Sequence, residues 1–395
     1  MMSQRLAGIQ PLSGFNACAA QAAGATDDHV KMKFHLALLS ALILLPGCVA
    51  DYGESGSTAR DAGVETPVTV RYATDRARDG DGGPNFGYDD GRGTLHFGIA
   101  AVSIPAGHVA GRLEAPPLKS QASLADRRWH VYLDQVRAIA DDDFFAGVRG
   151  DLGRAGRNEI LVFVHGYNTD FSLAMRRLAQ LWVDLDFAGV AVAFSWPSAG
   201  RATAYLPDQN NADWAAPDLA ATLRLLPGES GADRIHLFVH SMGGRILLRA
   251  LEELARDREA GEPPLLGEVI FAAPDVDADI FAASVPRLQP LAGRFTLYAS
   301  DSDMAMSAAR RASGGYPRAG DSSEAIVVVA GMDTVDASAV RDDLVGHEYF
   351  GESTPVLDDI RLLLRDGAGA ADRPRMVQDW RLGRSYWRLL PPAGP

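Results

Sequence analysis

The chain of 395 residues has only two cysteines, Cys18 and Cys48, and both lie in its first fifty residues. The rest of the chain therefore holds neither a disulfide framework nor a cysteine-ligated metal site. Positive charge is also scarce, since 38 lysines and arginines stand against 51 aspartates and glutamates, a net charge of −13. Because an acidic chain repels phosphate backbones, nucleic acid is not an expected partner. His236 and His240 are four residues apart, but they straddle the end of a predicted strand and do not lie on a helix, so neither a metal motif nor a cofactor is expected.

Long apolar runs are missing too, but a short one extends from Phe34 to Leu45, too few residues to cross a bilayer. Two lysines precede it, and the sequence LPGC, ending at Cys48, follows it. A charged start, a short apolar segment and small residues are typical of a secretory signal. Cys48 resembles the lipidated cysteine of bacterial lipoproteins. We therefore expect a lipid anchor on Cys48 that holds the protein to a membrane of the cell envelope; a cleaved signal and a secreted protein are the alternative.

Composition and pattern divide the chain into six segments. The segment before Met32 has no periodic pattern and is interpreted as coding sequence assigned upstream of the true start. A stretch rich in Gly, Ser, Thr and Asp follows Cys48 and is typical of a tether. The predicted segments are 1–31 (upstream), 32–48 (signal), 49–66 (tether), 67–150 (N-terminal strands and extension), 151–366 (core of the fold) and 367–395 (tail without a period).

Apolar β-branched runs alternate with amphipathic stretches in the second half of the chain. Uninterrupted apolar strands separated by such helices predict an α/β fold, with a mostly parallel sheet covered by helices on both faces. The predicted strands are 68–73, 95–104, 160–164, 190–196, 235–239, 269–273, 295–299 and 326–330, and the predicted helices are 173–185, 215–226, 244–255 and 356–364. Only about twenty residues separate Asp275, the first residue of an acidic cluster at 275–279, from the next strand at 295–299, so no large cap domain is expected there.

Ser241 lies where the strand at 235–239 passes directly into a helix, in the sequence HSMGG. A serine on such a strand-to-helix turn is the nucleophile elbow of α/β-hydrolases, which holds the hydroxyl above the sheet edge. Gly243 satisfies the requirement for a small residue two positions later. Val239 stands where glycine is usual, which is a departure from the motif.

The sequence HGYN at 165–168 follows the strand at 160–164. At this strand end an α/β-hydrolase carries a backbone N–H that faces the reacting carbonyl. We expect the N–H of Tyr167, with Asn168 as the alternative, to form an oxyanion hole with the N–H of Met242. The imidazole of His165 is expected to pack in the loop and to take no part in proton transfer.

His347 is the only one of nine histidines that follows Ser241. Since the triad of this fold runs serine, acid, histidine along the chain, His347 is the predicted base. Asp303, after the strand at 295–299, is the predicted acid. Asp301 is the alternative in the same loop, and Asp275 and Asp277 after the preceding strand are further candidates. Helix N-capping is the structural explanation that competes for all four carboxylates.

Together these segments resemble a bacterial family of α/β-hydrolases of unknown function, often labelled as esterase- or lipase-like. The likeness covers about 67–365. It rests on the sequences YATDR at 72–76, VHGYN at 164–168, FSWPSAG at 194–200, HSMG at 240–243, AAPDVD at 272–277 and HEYF at 347–350. The resemblance implies the fold and the triad but no substrate, and a residue other than glycine before the His-Ser pair is usual in that family.

The sequence thus predicts a serine hydrolase that cleaves small carboxylic esters through an acyl-enzyme. An amidase, a thioesterase or an acyltransferase would use the same three residues. From a different class, a catalytically silent, surface-anchored binding protein on the same fold is the alternative.

Overall fold

The computed structural model describes residues 65–79, 87–116, 126–259, 261–323, 326–340 and 349–392. The predicted signal, Cys48 and all but the last two residues of the predicted tether lie outside these ranges, and so does His347. Within them, no helix is both long and apolar enough to cross a membrane.

Strands and helices alternate through the middle of the chain. The strands are β1 (Thr66–Arg78), β2 (Tyr88–Ile104), β3 (Tyr132–Ile139), β4 (Glu159–Val164), β5 (Val190–Ser195), β6 (Arg234–His240), β7 (Leu266–Ala272), β8 (Ala292–Ala299), β9 (Asp333–Asp336), β10 (Met376–Arg381) and β11 (Arg384–Leu389). The helices are α1 (Asp141–Leu152), α2 (Phe171–Asp184), α3 (Tyr205–Ser230), α4 (Gly243–Arg256), α5 (Ala278–Leu288), α6 (Met304–Ala312), α7 (Tyr349–Glu352) and α8 (Thr354–Asp366), and short 3₁₀ turns lie at Ala202–Ala204, Gln289–Leu291 and Ala370–Asp372.

The described strands form one sheet in the order β10-β11-β9-β8-β7-β6-β4-β5-β1-β2-β3. All neighbours from β11 to β1 are parallel, and antiparallel pairing occurs only where β2, β3 and β10 are added at the two ends. The carboxyl ends of β4 to β8 therefore meet at one edge. This is the mostly parallel sheet that the sequence predicts.

Both faces of the sheet are covered. Alternate residues of β4 enter different cores: Ile160 and Val162 pack in one, and Leu161 and Phe163 in the other. Buried residues of α1, α3, α4 and α5 complete the first core, and those of α2 and α8 complete the second. The β7–β8 connection holds only α5 and a 3₁₀ turn, so the expected absence of a large insertion there is confirmed.

One predicted strand is wrong. Residues 326–330 are irregular, and the strand that pairs with β8 begins later, at Asp333. Ile326, Val327 and Val329 are nevertheless buried. The carbonyl of Val327 accepts a hydrogen bond from Thr334 Oγ1 at 2.9 Å. The apolar run at 326–330 therefore indicated a buried segment. The strand that pairs with β8 is formed by the less apolar residues that follow, in β9.

A polar latch fastens the segment after β2 to the second core. His108 Nδ1 lies 2.8 Å from Glu114 Oε2, and its Nε2 lies 2.7 Å from Asp184 Oδ1. The same Asp184 accepts the N–H of Gly111 at 2.9 Å. Burial alone would lower the pKa of His108, but the hydrogen bonds to Asp184 and Glu114 outweigh it and raise the pKa to about 9. The imidazole is therefore a cation at neutral pH.

Replacing His108 with glutamine is expected to remove a pH-dependent part of the stability. Because the folded pKa lies above the value of about 6.5 in the unfolded chain, the cation stabilises the fold fully below about pH 6.5, and this contribution is lost as pH rises through about 9. Urea unfolding of both proteins from pH 6 to pH 10 measures the effect. The two free energies of unfolding should converge at alkaline pH; a difference that does not change with pH contradicts the latch.

Candidate active site

Ser241 occupies a strained turn between β6 and α4. Its φ is +51°, a conformation that costs energy in any residue with a side chain. Backbone bonds to the β7 strand end hold the turn: Ser241 N–H donates to the Ala272 carbonyl, and Asp275 N–H donates to the Ser241 carbonyl, both at 3.0 Å. Val239 is fully buried in β6, so the turn forms with valine at that position. The structure thus places Ser241 on the strand-to-helix turn that the sequence predicts.

Gly243 brings the first turn of α4 against the end of β4. A Cβ at this position would lie 2.7 Å from the carbonyl oxygens of both Val164 and His165. Only glycine fits so close an approach, because neither backbone oxygen has room to move. The requirement for a small residue two positions after Ser241 therefore has a direct steric cause.

The loop after β4 lies directly against Ser241. A Cβ built on Gly166 would be 2.9 Å from the Cβ of Ser241 and 2.8 Å from His240 Nδ1. Tyr167 and Asn168 follow, and Asn168 has a φ of +60°. Met242 begins α4 on the other side, where N–H groups of the first turn have no acceptor within the helix. The structure therefore brings the segments of both predicted oxyanion donors to Ser241.

Replacing Gly166 with alanine is expected to lower turnover by about a hundredfold, comparable to the loss of one oxyanion donor. The added methyl group has to displace the loop or Ser241, since its nearest neighbours are 2.8 and 2.9 Å away. Steady-state kinetics on any test substrate that the unchanged chain turns over would measure the loss. Gly228→Ala is the matched control, because its Cβ meets nothing within 4 Å. Equal activity of the two variants would show that the loop does not serve the reaction.

The imidazole of His165 has a structural place. His165 Nδ1 lies 2.9 Å from the Gly166 carbonyl, and because a carbonyl only accepts, Nδ1 carries the ring proton and donates it. In the neutral ring Nε2 then accepts the proton of Ser195 Oγ, 3.3 Å away, while Ser195 Oγ itself receives Arg76 Nε–H at 3.0 Å. Burial, together with the charge of Arg76, lowers the pKa of His165 to about 3. The neutral ring stacks on Trp196, whose Nε1–H donates to the His165 carbonyl at 2.8 Å.

Arg76 ties three segments together behind the site. It is 1% exposed, yet it donates to the Ser198 carbonyl at 3.0 Å and to the Thr169 carbonyl at 2.9 Å, besides Ser195. A further bond reaches the Asp89 carbonyl at 3.1 Å. Burial lowers its pKa to about 10, so the guanidinium stays charged at neutral pH. The hydrogen bonds of Arg76 fix the loops after β4 and β5, a role that the residues around position 76 do not indicate by themselves.

The four candidate acids have different surroundings. Asp303 is 2% exposed and caps α6 by accepting Met306 N–H at 2.9 Å, whereas Asp301 is exposed. Asp275 is committed elsewhere: its Oδ1 receives Arg318 Nε–H at 2.7 Å and its Oδ2 receives the hydroxyl of Tyr205 at 2.8 Å. Asp277 caps α5 through the N–H groups of its first turn. Asp277 and Asp303 therefore both act as helix N-caps. In the loop after β8, Asp303 is buried whereas Asp301 is exposed.

Phe350 fixes the chain just after His347, which itself lies outside the described residues. Its ring is 1% exposed and stacks on the ring of His240 with centroids 4.0 Å apart. Arg177 also lies over this ring, with its Cζ 5.9 Å from the centroid, and its guanidinium donates to Glu352 Oε1 at 3.2 Å. The segment that follows the predicted base is thus packed against the residue that precedes Ser241. Among the described residues, no group of three His, Cys, Asp or Glu side chains is arranged to hold a metal ion.

Comparison with known proteins identifies one family. The model of the family described as "Alpha/beta hydrolase of unknown function (DUF900)" matches residues 142–365, more than half of the chain. An uncharacterized protein of Nostoc, alr1448, is 27% identical over 144 residues, which cover 30% of this chain and 37% of the relative. The chain thus spans little more than a third of the length of that curated relative.

Two solved structures are also similar. One is an alpha-beta serine hydrolase homologue from Coxiella burnetii, at 18% identity and a TM-score of 0.29, covering 54% of this chain and 86% of its own. The other is the phospholipase PlaB from Legionella pneumophila, at 14% identity and a TM-score of 0.31, covering 60% and 68%. The match to the family model carries more weight than either, because it spans most of the parallel sheet.

Proposed function

Because the chain belongs to this family of alpha/beta hydrolases, we propose that it is a serine hydrolase that cleaves small carboxylic esters through Ser241, His347 and Asp303. The observation that carries the proposal is the strained turn at Ser241, with the Gly166 loop packed against its Cβ. A positive φ at a buried serine is costly and persists only where the surroundings enforce it. Such a turn presents a nucleophile beside backbone donors, which is what acyl transfer requires.

The position of Phe350 supports His347 as the base. Phe350 follows His347 by three residues, a length of at most about 11 Å, and its ring contacts His240. His240 is the direct neighbour of Ser241. The length of chain therefore allows the imidazole to reach the serine hydroxyl. His165 is a poor alternative, because both of its ring nitrogens are engaged and its pKa is lowered to about 3.

Asp303 fits the role of the acid better than its competitors. It is buried at the end of β8, while Asp301 is exposed to water and Asp275 already holds Arg318. A carboxylate that orients an imidazole works best when water does not compete for it. In the reaction, His347 takes the Ser241 proton as the hydroxyl attacks the ester carbonyl, and the N–H groups of Tyr167 and Met242 stabilise the oxyanion. Loss of the alcohol leaves an acyl-enzyme, which water then hydrolyses.

Labelling with a fluorophosphonate tests the proposal. The reagent phosphonylates only a serine activated by an assembled base and oxyanion hole. We expect one adduct per chain, located by peptide mass spectrometry at Ser241, and release of p-nitrophenol from short-chain esters by the same sample. An adduct at another residue would contradict the assignment. A folded protein that neither labels nor hydrolyses would instead be a silent binding protein.

Amide, thioester and acceptor-alcohol substrates separate the related activities. All four reactions pass through the same acyl-enzyme and differ in the leaving group or in the acceptor. Ratios of kcat/KM for a matched ester, thioester and amide would rank them. We expect the ester to be cleaved fastest; a preference for the amide or thioester would keep the triad and correct the substrate class.

A further inference from the structure

The β10–β11 hairpin ends in a turn that exposes an apolar side chain under strain. Arg381 pairs with Arg384, so Leu382 and Gly383 form a two-residue turn with φ values of +50° and +75°. Such turns favour Asn-Gly, because a β-carbon is disfavoured at positive φ unless a short polar side chain relieves it. Leucine is unfavourable here on two counts, since its side chain is also 96% exposed. An unfavourable residue that gains nothing within the fold suggests a contact outside it.

The surroundings of Leu382 combine apolar and basic side chains. Trp380 is 62% exposed and shares a face of the hairpin with Met376 and Trp387, both of which pack on the second core. The apolar surface therefore runs out of the core towards the tip. Three arginines and one aspartate in β10 and β11 give the hairpin a net charge of +2, in a chain whose net charge is −13.

The tip extends past its neighbour in the sheet. β11 pairs with β9 only at Trp387 and Arg388, so Arg384 and the turn lie beyond that ladder. β11 is parallel to the central strands, which places the turn before its first residue at the edge where those strands begin. Ser241 follows the carboxyl end of β6, at the other edge. The hairpin tip is therefore separate from the candidate active site.

We propose that this tip docks on a lipid bilayer that contains anionic lipids. Tryptophan and leucine enter the boundary between head groups and acyl chains, while flanking arginines bind the negative surface, and this combination gives reversible interfacial binding. The lipid anchor expected on Cys48 would be a second attachment of the same chain to a bilayer.

The variant Leu382→Asn tests the proposal because it separates binding from folding. Asparagine suits the positive φ of +50° and makes the favoured Asn-Gly turn, so the hairpin should become more stable. The full chain and the variant are compared by co-sedimentation with two kinds of vesicle, phosphatidylcholine alone and phosphatidylcholine mixed with phosphatidylglycerol. We expect the variant to bind the mixed vesicles about tenfold more weakly while its thermal midpoint is unchanged or higher.

Ile280→Asn is the matched control, because Ile280 is 57% exposed on α5, away from the hairpin. It should bind both kinds of vesicle as the unchanged chain does. The N-terminal apolar run is present in all three proteins, so any difference reports the substituted residue. Binding of Leu382→Asn equal to that of the unchanged chain would overturn the proposal. The proposal would also be overturned if the unchanged chain were a dimer that Leu382→Asn dissociates without changing vesicle binding. The tip would then be a protein interface.

Discussion

Ser241→Ala is expected to lower the rate of ester hydrolysis by about 10⁶-fold, to the level that binding and the oxyanion hole alone sustain. The alanine keeps the Cβ that packs near Gly166 and removes only the hydroxyl, so the turn and the fold should persist. An unchanged circular dichroism spectrum and an unchanged thermal midpoint would establish that the variant keeps its fold. Turnover of p-nitrophenyl esters, followed to the background rate of the buffer, measures the effect.

Ser172→Ala provides the matched control for Ser241→Ala, since Ser172 is a half-buried serine in the first turn of α2. It should keep full activity and full labelling by the fluorophosphonate. Retention of turnover by Ser241→Ala would place the nucleophile elsewhere. Loss of turnover together with loss of structure would instead show that the hydroxyl is needed for folding, which the thermal midpoint would reveal.

His347→Ala is expected to reduce kcat by about 10⁵- to 10⁶-fold, because serine and base act as one unit. For the same reason, the double variant with Ser241→Ala should be no slower than either single variant. The alanine is also expected to abolish labelling by the fluorophosphonate, since an unactivated serine does not react with it. Additive losses in the double variant would contradict direct cooperation between the two residues.

Asparagine substitutions at Asp303 and Asp301 identify the acid. Asn is as good a helix N-cap as Asp, so Asp303→Asn should keep the bond to Met306 N–H while it removes the charge that fixes the imidazole tautomer. We expect kcat to fall by about 10⁴-fold for Asp303→Asn and to change little for the exposed Asp301→Asn. The reverse result would assign the role to Asp301.

The parallel centre of the fold and the adjoining β2 were predictable from the sequence, but β3 and the strands β9 to β11 at the other end of the sheet were not. Strands such as β4 and β5 are buried on both faces, so each contains an unbroken run of five apolar residues that the sequence displays. β10 and β11 are largely exposed and carry arginines among the aromatics, so the tail shows no period although it forms two strands. The run at 326–330 suggested a strand because Ile326, Val327 and Val329 are buried, although none of them pairs in the sheet. An apolar run predicts that residues are buried, but buried residues need not pair in a sheet.

The candidate site was predictable in its local parts. The turn at Ser241 and the approach of Gly243 follow from residues adjacent in sequence. The role of Arg76 does not, because its partners Thr169, Ser195 and Ser198 lie about a hundred residues away in the chain. Asp75 is a second case: it is fully buried, and burial raises the pKa of its carboxyl group. A single sequence shows no spacing pattern for contacts between distant residues, such as those of Arg76, or for the burial of one carboxylate, such as that of Asp75.

The interior position of β1 affects how the protein is made. β1 pairs on one edge with β2, which follows it directly in the chain, yet its other edge receives β5, whose residues are synthesised much later. During that interval the nascent chain carries an open strand edge and a guanidinium, at Arg76, whose partners do not yet exist. Such an edge invites pairing with other chains, so protection by a chaperone during synthesis has most value in this interval. A fragment that starts at residue 142 would lack β1, so no β1 edge would be left unpaired during synthesis. The edge of β5 that β1 covers would then stay unpaired in the finished fragment.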